Sequence, residues 1–139
     1  MTHASLYSLL GFVVWTMLIV LVGIGFPRLS AVLGRRAAPK SFPADVPHGS
    51  DRYRRTMRAH ANCVENLPIF AALVLIARSI SLESATFEML AVAVLPARMA
   101  QTVVHVASGS NRAVLVRFWF YSVQFACFAA MAAILVASL

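Results

Sequence analysis

Long runs of apolar residues dominate the chain and predict how often it crosses a membrane. Residues 6–26 and 118–139 contain no charged residue, and the apolar stretches between them are interrupted by isolated polar positions. A helix rises about 1.5 Å per residue, so roughly 20 residues cross a hydrocarbon core about 30 Å thick. The pattern predicts a single all-α integral membrane domain over residues 1–139, with spans at about 5–34, 51–79, 84–107 and 112–138.

The connector between the first two spans has a pattern of its own. Pro39, Pro43 and Pro47 lie four residues apart, a spacing that disfavours a helix. We expect an ordered or semi-rigid loop over residues 35–50. Asp51 is the expected N-cap of the second span, because a short carboxylate side chain accepts well from free N–H groups at a helix start.

Composition and charge place the chain in a membrane. It is 60% hydrophobic and only 12% charged, which is typical of a multi-pass membrane protein. The apolar run at the N-terminus has no basic residue before it, which favours a retained span over a signal peptide. Both cysteines, Cys63 and Cys127, fall in predicted spans, so a secreted disulfide framework is excluded.

The net charge of +7 would suggest a nucleic-acid partner in a soluble protein, but its distribution argues otherwise. Eight of the twelve basic residues lie at the end of the first span, in the connector and at the start of the second span. They are Arg28, Arg35, Arg36, Lys40, Arg52, Arg54, Arg55 and Arg58. This positive-inside pattern predicts a cytoplasmic connector, both termini on the non-cytoplasmic side and no nucleic-acid partner.

The second span carries charge into the apolar region. Arg58, Asn62 and Glu65 share one helix face at about 100° per residue, and Arg55 lies beside them. A charged residue at membrane depth costs about 2.5–3.5 kcal/mol on insertion scales, so such residues usually mark function. Spacing alone leaves two interpretations open, a structural ion-pair network that fixes helix register or a binding site.

The third span repeats this arrangement. Arg98, Gln101 and His105 lie at i, i+3 and i+7, again on one face, which favours a polar cavity over a single packed histidine. Metal binding is not expected, because His60 and His105 lack a suitable carboxylate–histidine spacing and the neighbouring cations would repel a metal ion.

The fourth span adds further cations at the same end. Arg117 and Tyr121 are i, i+4 neighbours, whereas Arg112 lies about 140° round the helix from Arg117. Either arginine can serve a site or anchor the helix at lipid phosphate. Cations on three helices predict recognition of a polyanionic small molecule, because arginine's forked donors match carboxylates.

The stretch Arg58–Phe70, with the sequence RAHANCVENLPIF, resembles the signature of the MAPEG family, the membrane-associated proteins in eicosanoid and glutathione metabolism. The pattern is Arg-Ala-His, an asparagine two residues after the histidine, a glutamate three residues further and an apolar run. The length, the four spans, the basic connector and Arg98 also match. The chain resembles a bacterial-type member of the family, similar to microsomal glutathione transferase.

The resemblance implies a left-handed four-helix bundle that assembles as a homotrimer in the bacterial inner membrane and binds glutathione between neighbouring subunits. The implied glutathione-binding residues are Arg28, Arg58, His60, Asn62, Glu65, Arg98, Gln101, His105 and Tyr121. It also implies an arginine early in the fourth span that holds the glutathione thiol as its thiolate. Arg117 and Arg112 compete for this catalytic role, and the neighbouring Tyr121 favours Arg117.

Two functions follow from the resemblance. The first is a transferase or peroxidase that uses glutathione as co-substrate on lipophilic electrophiles or lipid hydroperoxides reaching it from the bilayer. The alternative is a non-catalytic membrane protein of the same fold that binds lipid or a partner protein. Ala61, Gln101 and His105 depart from the pattern of an eicosanoid-synthesising branch, which argues against prostaglandin chemistry.

Overall fold

The structure is a computed structural model, and it describes residues 3–43 and 46–139. Its described part is all-helical. Four helices are long and apolar enough to cross a membrane, and they are hereafter called the first to fourth spans. They occupy Ala4–Leu33, Asp51–Ser79, Ala85–Ala107 and Asn111–Ser138. The first span is built from an α-helix at Ala4–Leu18, a π-helical segment at Ile19–Gly25 and an α-helix at Phe26–Leu33.

Serine residues start the last three spans. The side-chain oxygen of Ser50 accepts from the Tyr53 N–H at 3.3 Å, and Ser84 and Ser110 bond the N–H three residues on in the same way. Each bond satisfies an N–H group that has no partner inside the helix. The expected cap at Asp51 is therefore wrong by one residue, and Asp51 instead pairs with Arg54 on the first turn.

The third span lies at the centre of the bundle and packs against each of the other three. Ser8 on the first span donates to the Ala91 carbonyl at 2.7 Å, and Gly11 lies against Leu95 so closely that an added Cβ would come within 2.6 Å of its methyl group. Small residues at such crossings let membrane helices approach, and close packing there replaces the hydrophobic driving force that lipid removes.

An aromatic row fills the apolar half of the bundle. The rings of Phe12 and Phe70 lie 5.8 Å apart, and those of Phe70 and Phe128 lie 5.9 Å apart, so one row joins the first, second and fourth spans. All three side chains are buried. The other half holds the buried polar residues of the third and fourth spans, and we call its outer edge the basic end. There the first and third spans end and the second and fourth begin.

The described part of the connector folds back onto the basic end and contains a short 3₁₀ helix at Pro39–Ser41. Phe42 and His48 lie edge to face at 5.8 Å, and His48 contacts Tyr53 at 5.5 Å. Arg28 donates to the Tyr53 hydroxyl and lies over the Phe42 ring at 5.5 Å. Gly49 has φ +78°, a left-handed conformation that glycine adopts without strain.

Candidate functional site

Two adjoining cavities open at the basic end, on the face formed by the second, third and fourth spans. Their volumes are about 350 and 360 Å³, and both are lined by Arg58, His105 and Arg117. We call them together the polar cavity. Its remaining lining residues are Asn62, Gln101, Val114, Phe118 and Tyr121 in one part and Asp51, Arg54, Arg55 and Gly109 in the other.

Helical spacing explains why these residues meet. Arg58 and Asn62 lie one turn apart on the second span, as do Gln101 and His105 on the third, so each pair presents two polar groups to the same side. Arg117 and Tyr121 repeat this on the fourth span. The structure thus gathers six of the predicted site residues around one opening.

Gln101 lines the cavity and also bonds to residues of the third and fourth spans. Its side-chain oxygen accepts from Arg98 at 2.8 Å and from Gln124 at 3.1 Å. Its side-chain nitrogen donates to the Arg117 backbone carbonyl at 3.2 Å, and Gln124 also donates to the Phe120 carbonyl at 2.9 Å. Gln101 therefore fixes the fourth span against the third at the level of Arg117.

Arg98 lies inside the bundle rather than on the cavity surface. It is 1% exposed, and its guanidinium lies 5.4 Å from the centre of the Phe12 ring. Within the described part of the chain, its Nε and Nη2 atoms have no hydrogen-bond partner. A buried cation with unpaired donors is unfavourable. This one lies next to the cavity, since it is bonded to the lining residue Gln101.

Four predicted residues lie away from the polar cavity of a single chain. Arg28 lines a different groove, between the first span and the ends of the second and third. His60 is turned about 200° from Arg58 by the helix, while Glu65 and Arg112 are exposed on the bundle surface and line neither part of the cavity.

The sequence profile of the MAPEG family matches residues 7–137, nearly the whole chain. The chain belongs to the MAPEG family. No curated protein sequence matches it. The match confirms the predicted family, and with the four spanning helices it makes the chain a multi-pass integral membrane protein.

Four polar residues in or beside the cavity of this MAPEG protein were not predicted as site residues: Gln124, Arg55, Asp51 and Arg54. Gln124 is 1% exposed and extends the Arg117–Tyr121 face at i+7, so the same helical spacing pointed to it. Arg55 lines the outer part of the cavity and donates to the Val106 carbonyl at 3.3 Å, which ties the second span to the end of the third.

The charge of the polar cavity favours anions. Four arginines line it against the single carboxylate of Asp51, which is already paired with Arg54. In residues 3–43 and 46–139, no three His, Cys, Asp or Glu side chains come together as metal ligands. Val114 and Phe118 form an apolar wall on the fourth span beside Arg117. This surface fits an anionic molecule that brings a reactive group next to an apolar second molecule.

Proposed function

We propose that this MAPEG protein binds glutathione in the polar cavity and uses its thiolate against lipophilic electrophiles or lipid hydroperoxides. The observation that carries the proposal is the convergence of Arg58, Asn62, Arg117 and Tyr121 on one opening beside the apolar residues Val114 and Phe118. The proposal includes a homotrimer in which each glutathione lies between two subunits.

The chemistry of glutathione supports this assignment. The tripeptide carries two carboxylates, one ammonium and one thiol. Arg58 and Arg117 supply forked donors for carboxylate or thiolate, and Asn62 and Tyr121 supply neutral hydrogen bonds. Glu65 is exposed one turn beyond Asn62, where its carboxylate is free to meet the ammonium of a ligand held between subunits.

Arg117 is the residue that we assign to thiol activation. An ordinary thiol has a pKa of about 8.5, so only a few per cent is ionised at pH 7, and a guanidinium beside the sulfur lowers that pKa. Arg117 is half-buried and its helix is held by Gln101. Arg112, exposed and outside the cavity, is better suited to lipid phosphate.

Two reactions follow from a bound thiolate. In transfer, its sulfur forms a bond to the electrophilic carbon while the leaving group departs with the bonding electrons. With a hydroperoxide, the sulfur attacks the terminal oxygen, the O–O bond breaks and the lipid alcohol leaves after protonation. The sulfenic acid formed then reacts with a second glutathione to give glutathione disulfide and water.

The membrane setting completes the proposal. The basic end carries most of the positive charge, which supports a cytoplasmic cavity and non-cytoplasmic termini in a bacterial inner membrane. A C-terminal alkaline phosphatase fusion tests this orientation, since the enzyme folds only outside the cytoplasm. A fusion that is expressed normally but inactive would place the C-terminus in the cytoplasm and contradict the proposed orientation.

The test of catalysis compares Arg117→Ala with the matched control Arg112→Ala. We expect Arg117→Ala to lower turnover about 10²–10³-fold, the usual loss on removing one charge-stabilising donor, while glutathione still binds. The ultraviolet difference band of the bound thiolate should disappear in this variant only. Calorimetry measures binding, and a chlorinated nitroaromatic electrophile measures turnover.

Each other result has a definite meaning. Glutathione binding without a thiolate band in the wild type would favour the non-catalytic alternative, a protein that holds lipid or a partner. Loss of the thiolate band in Arg112→Ala, with the band kept in Arg117→Ala, would assign thiol activation to Arg112 and the contact with lipid phosphate to Arg117. No glutathione binding would remove the assignment and leave the polar cavity as a structural network.

A further inference from the structure

Three aromatic side chains surround Arg28 at the basic end. They are Phe42 and His48 of the connector and Tyr53 of the second span, and we call them the aromatic cluster. Arg28 donates through Nε to the Tyr53 hydroxyl. Its guanidinium lies 5.5 Å from the centre of the Phe42 ring and 5.8 Å from that of Tyr53, close enough for both rings to attract the cation. Arg28 is therefore held by contacts within its own chain.

The fold of the connector brings the aromatic cluster together. His48 donates through Nδ1 to the Val46 carbonyl at 3.0 Å, which fixes its ring against those of Phe42 and Tyr53. At Gly49 an added Cβ would lie 2.7 Å from a ring carbon of Tyr53, so a side chain at this position would displace the tyrosine. The connector and the start of the second span thus hold one another, and Arg28 with them.

The contacts of Arg28 leave part of its guanidinium available. This group has five N–H donors. Nε bonds Tyr53, and Nη2 lies 4.0 Å from the Met57 sulfur, a weak acceptor. Among the residues that the structure describes, Nη1 has no hydrogen-bond partner and no carboxylate pairs with Arg28. The aromatic cluster thus orients the guanidinium and leaves its outer end for a ligand.

We propose that Tyr53 and Phe42 are positioning residues, which orient Arg28 toward the glutathione bound by the neighbouring subunit. The inference rests on the proposed function, in which a homotrimer binds each glutathione between two subunits. The connector of one subunit then acts on the site of the next, where Arg58 and Arg117 lie. An arginine that is already ordered loses less conformational entropy when its ligand binds, so the aromatic cluster raises glutathione affinity.

Glutathione affinity, measured by calorimetry, tests the positioning. Tyr53→Phe keeps the ring but removes the acceptor, and should weaken binding about two- to tenfold, the factor for one net hydrogen bond. Phe42→Leu keeps apolar bulk but removes the ring, and should weaken binding about two- to fivefold, whereas Phe42→Tyr should keep the affinity. In the Arg28→Ala background, Tyr53→Phe should have no further effect.

Mixed trimers show in which subunit the aromatic cluster acts. One chain carries Arg117→Ala and contributes an intact Arg28, while the other carries Arg28→Ala and contributes an intact Arg117. Added to the first chain, Tyr53→Phe should lower the turnover of co-expressed trimers about two- to tenfold at low glutathione concentration. Added to the second chain, which lacks the Arg28 side chain, it should leave turnover unchanged. The same substitution in the other chain is thus the matched control.

The remaining outcomes overturn the inference. An equal loss of turnover from Tyr53→Phe in either chain would mean that the hydroxyl supports the fold rather than Arg28. Unchanged glutathione affinity in Tyr53→Phe would mean that Arg28 is oriented without the aromatic cluster, and the proposed function would stand. No turnover in any co-expressed trimer would mean that the connector does not act on the neighbour. No glutathione binding by the wild type would remove the proposed function and the inference together.

Discussion

At the scale of single residues, the polar cavity adjoins a buried charge, that of Arg98. Arg98 is buried beside Phe12, and among the residues that the structure describes only one of its guanidinium nitrogens has a hydrogen-bond partner, the Gln101 oxygen. Removing a charge from water costs several kcal/mol unless hydrogen bonds compensate for it. Arg98 therefore opposes folding, and we attribute its presence to the positive potential it adds behind Gln101 for an anionic ligand.

Arg98→Met should separate stability from binding. We expect the free energy of unfolding to stay the same or rise, by up to about 4 kcal/mol, because an apolar side chain of similar length removes an unpaired buried charge. Glutathione affinity should fall about tenfold, since the cavity loses positive potential and Gln101 loses its donor. Unfolding in increasing dodecyl sulfate and calorimetry measure the two effects.

Arg78→Met is the matched control. Arg78 lies at the opposite end of the bundle, where it bonds His3 at 2.8 Å and lies 4.0 Å from Glu88. Its loss should lower stability and leave glutathione affinity unchanged. If Arg98→Met were instead the more destabilising substitution, the Arg98 charge would have to be compensated inside the bundle and this interpretation would be wrong.

Sequence reasoning located much of the candidate site because helical spacing places polar residues on a face. Arg58 with Asn62, Gln101 with His105 and Arg117 with Tyr121 are such pairs. Spacing does not give the rotation of one helix against another, which is set by contacts such as Gly11 against Leu95. For that reason it predicted neither the burial of Arg98 behind Gln101 nor the link to Gln124.

At the scale of elements, the ends of the spans are fixed by polar contacts rather than by amphipathic faces. Among the residues that the structure describes, the first span begins without a side-chain cap of its own at His3. Instead Glu88 of the third span accepts from the Ser5 N–H at 2.6 Å and from the Ser5 hydroxyl at 2.9 Å. A carboxylate at a helix N-terminus also interacts favourably with the helix dipole.

Glu88→Gln tests this contact. The amide keeps the size of the side chain but loses its charge, and one of its two terminal atoms becomes a donor that cannot accept from Ser5. We expect the free energy of unfolding to fall by about 1.5–3 kcal/mol, the range for hydrogen bonds to charged groups. Glu83→Gln, an exposed carboxylate in the adjoining turn, should change it by less than about 0.5 kcal/mol. Equal changes in the free energy of unfolding for the two variants would show that Glu88 stabilises the fold no more than an exposed carboxylate does.

The number of spanning helices was predictable and their irregularities were not. Bilayer thickness sets the length of an apolar run, so the four helices could be placed from the sequence alone. The π-helical segment at Ile19–Gly25 has no comparable signal, because a valine-, isoleucine- and glycine-rich run suits an ordinary membrane helix equally well. Its packing against the second span, and the groove that it leaves beside the third, therefore appeared only with the structure.

At the scale of the whole molecule, one chain separates residues that the MAPEG resemblance assigns to a single ligand. Arg28 lines the groove between the first span and the ends of the second and third, whereas Arg58 and Arg117 line the polar cavity. If glutathione contacts all three, Arg28 has to come from a neighbouring subunit. The proposed homotrimer supplies that neighbour, because a cyclic assembly brings one face of each subunit against a different face of the next.

Mixed trimers test this arrangement. Arg28→Ala and Arg117→Ala should each be nearly inactive alone, because each removes one of the groups around the thiolate. In trimers formed from equal amounts of both chains, about a quarter of the interfaces pair the intact Arg28 of one subunit with the intact Arg117 of its neighbour. Turnover should therefore recover to about a quarter of the wild-type value after co-expression, and stay at background when separately purified trimers are combined. No recovery on co-expression would mean that both arginines act within one chain, and Arg28 would then have to leave Tyr53 and Phe42 to reach the polar cavity.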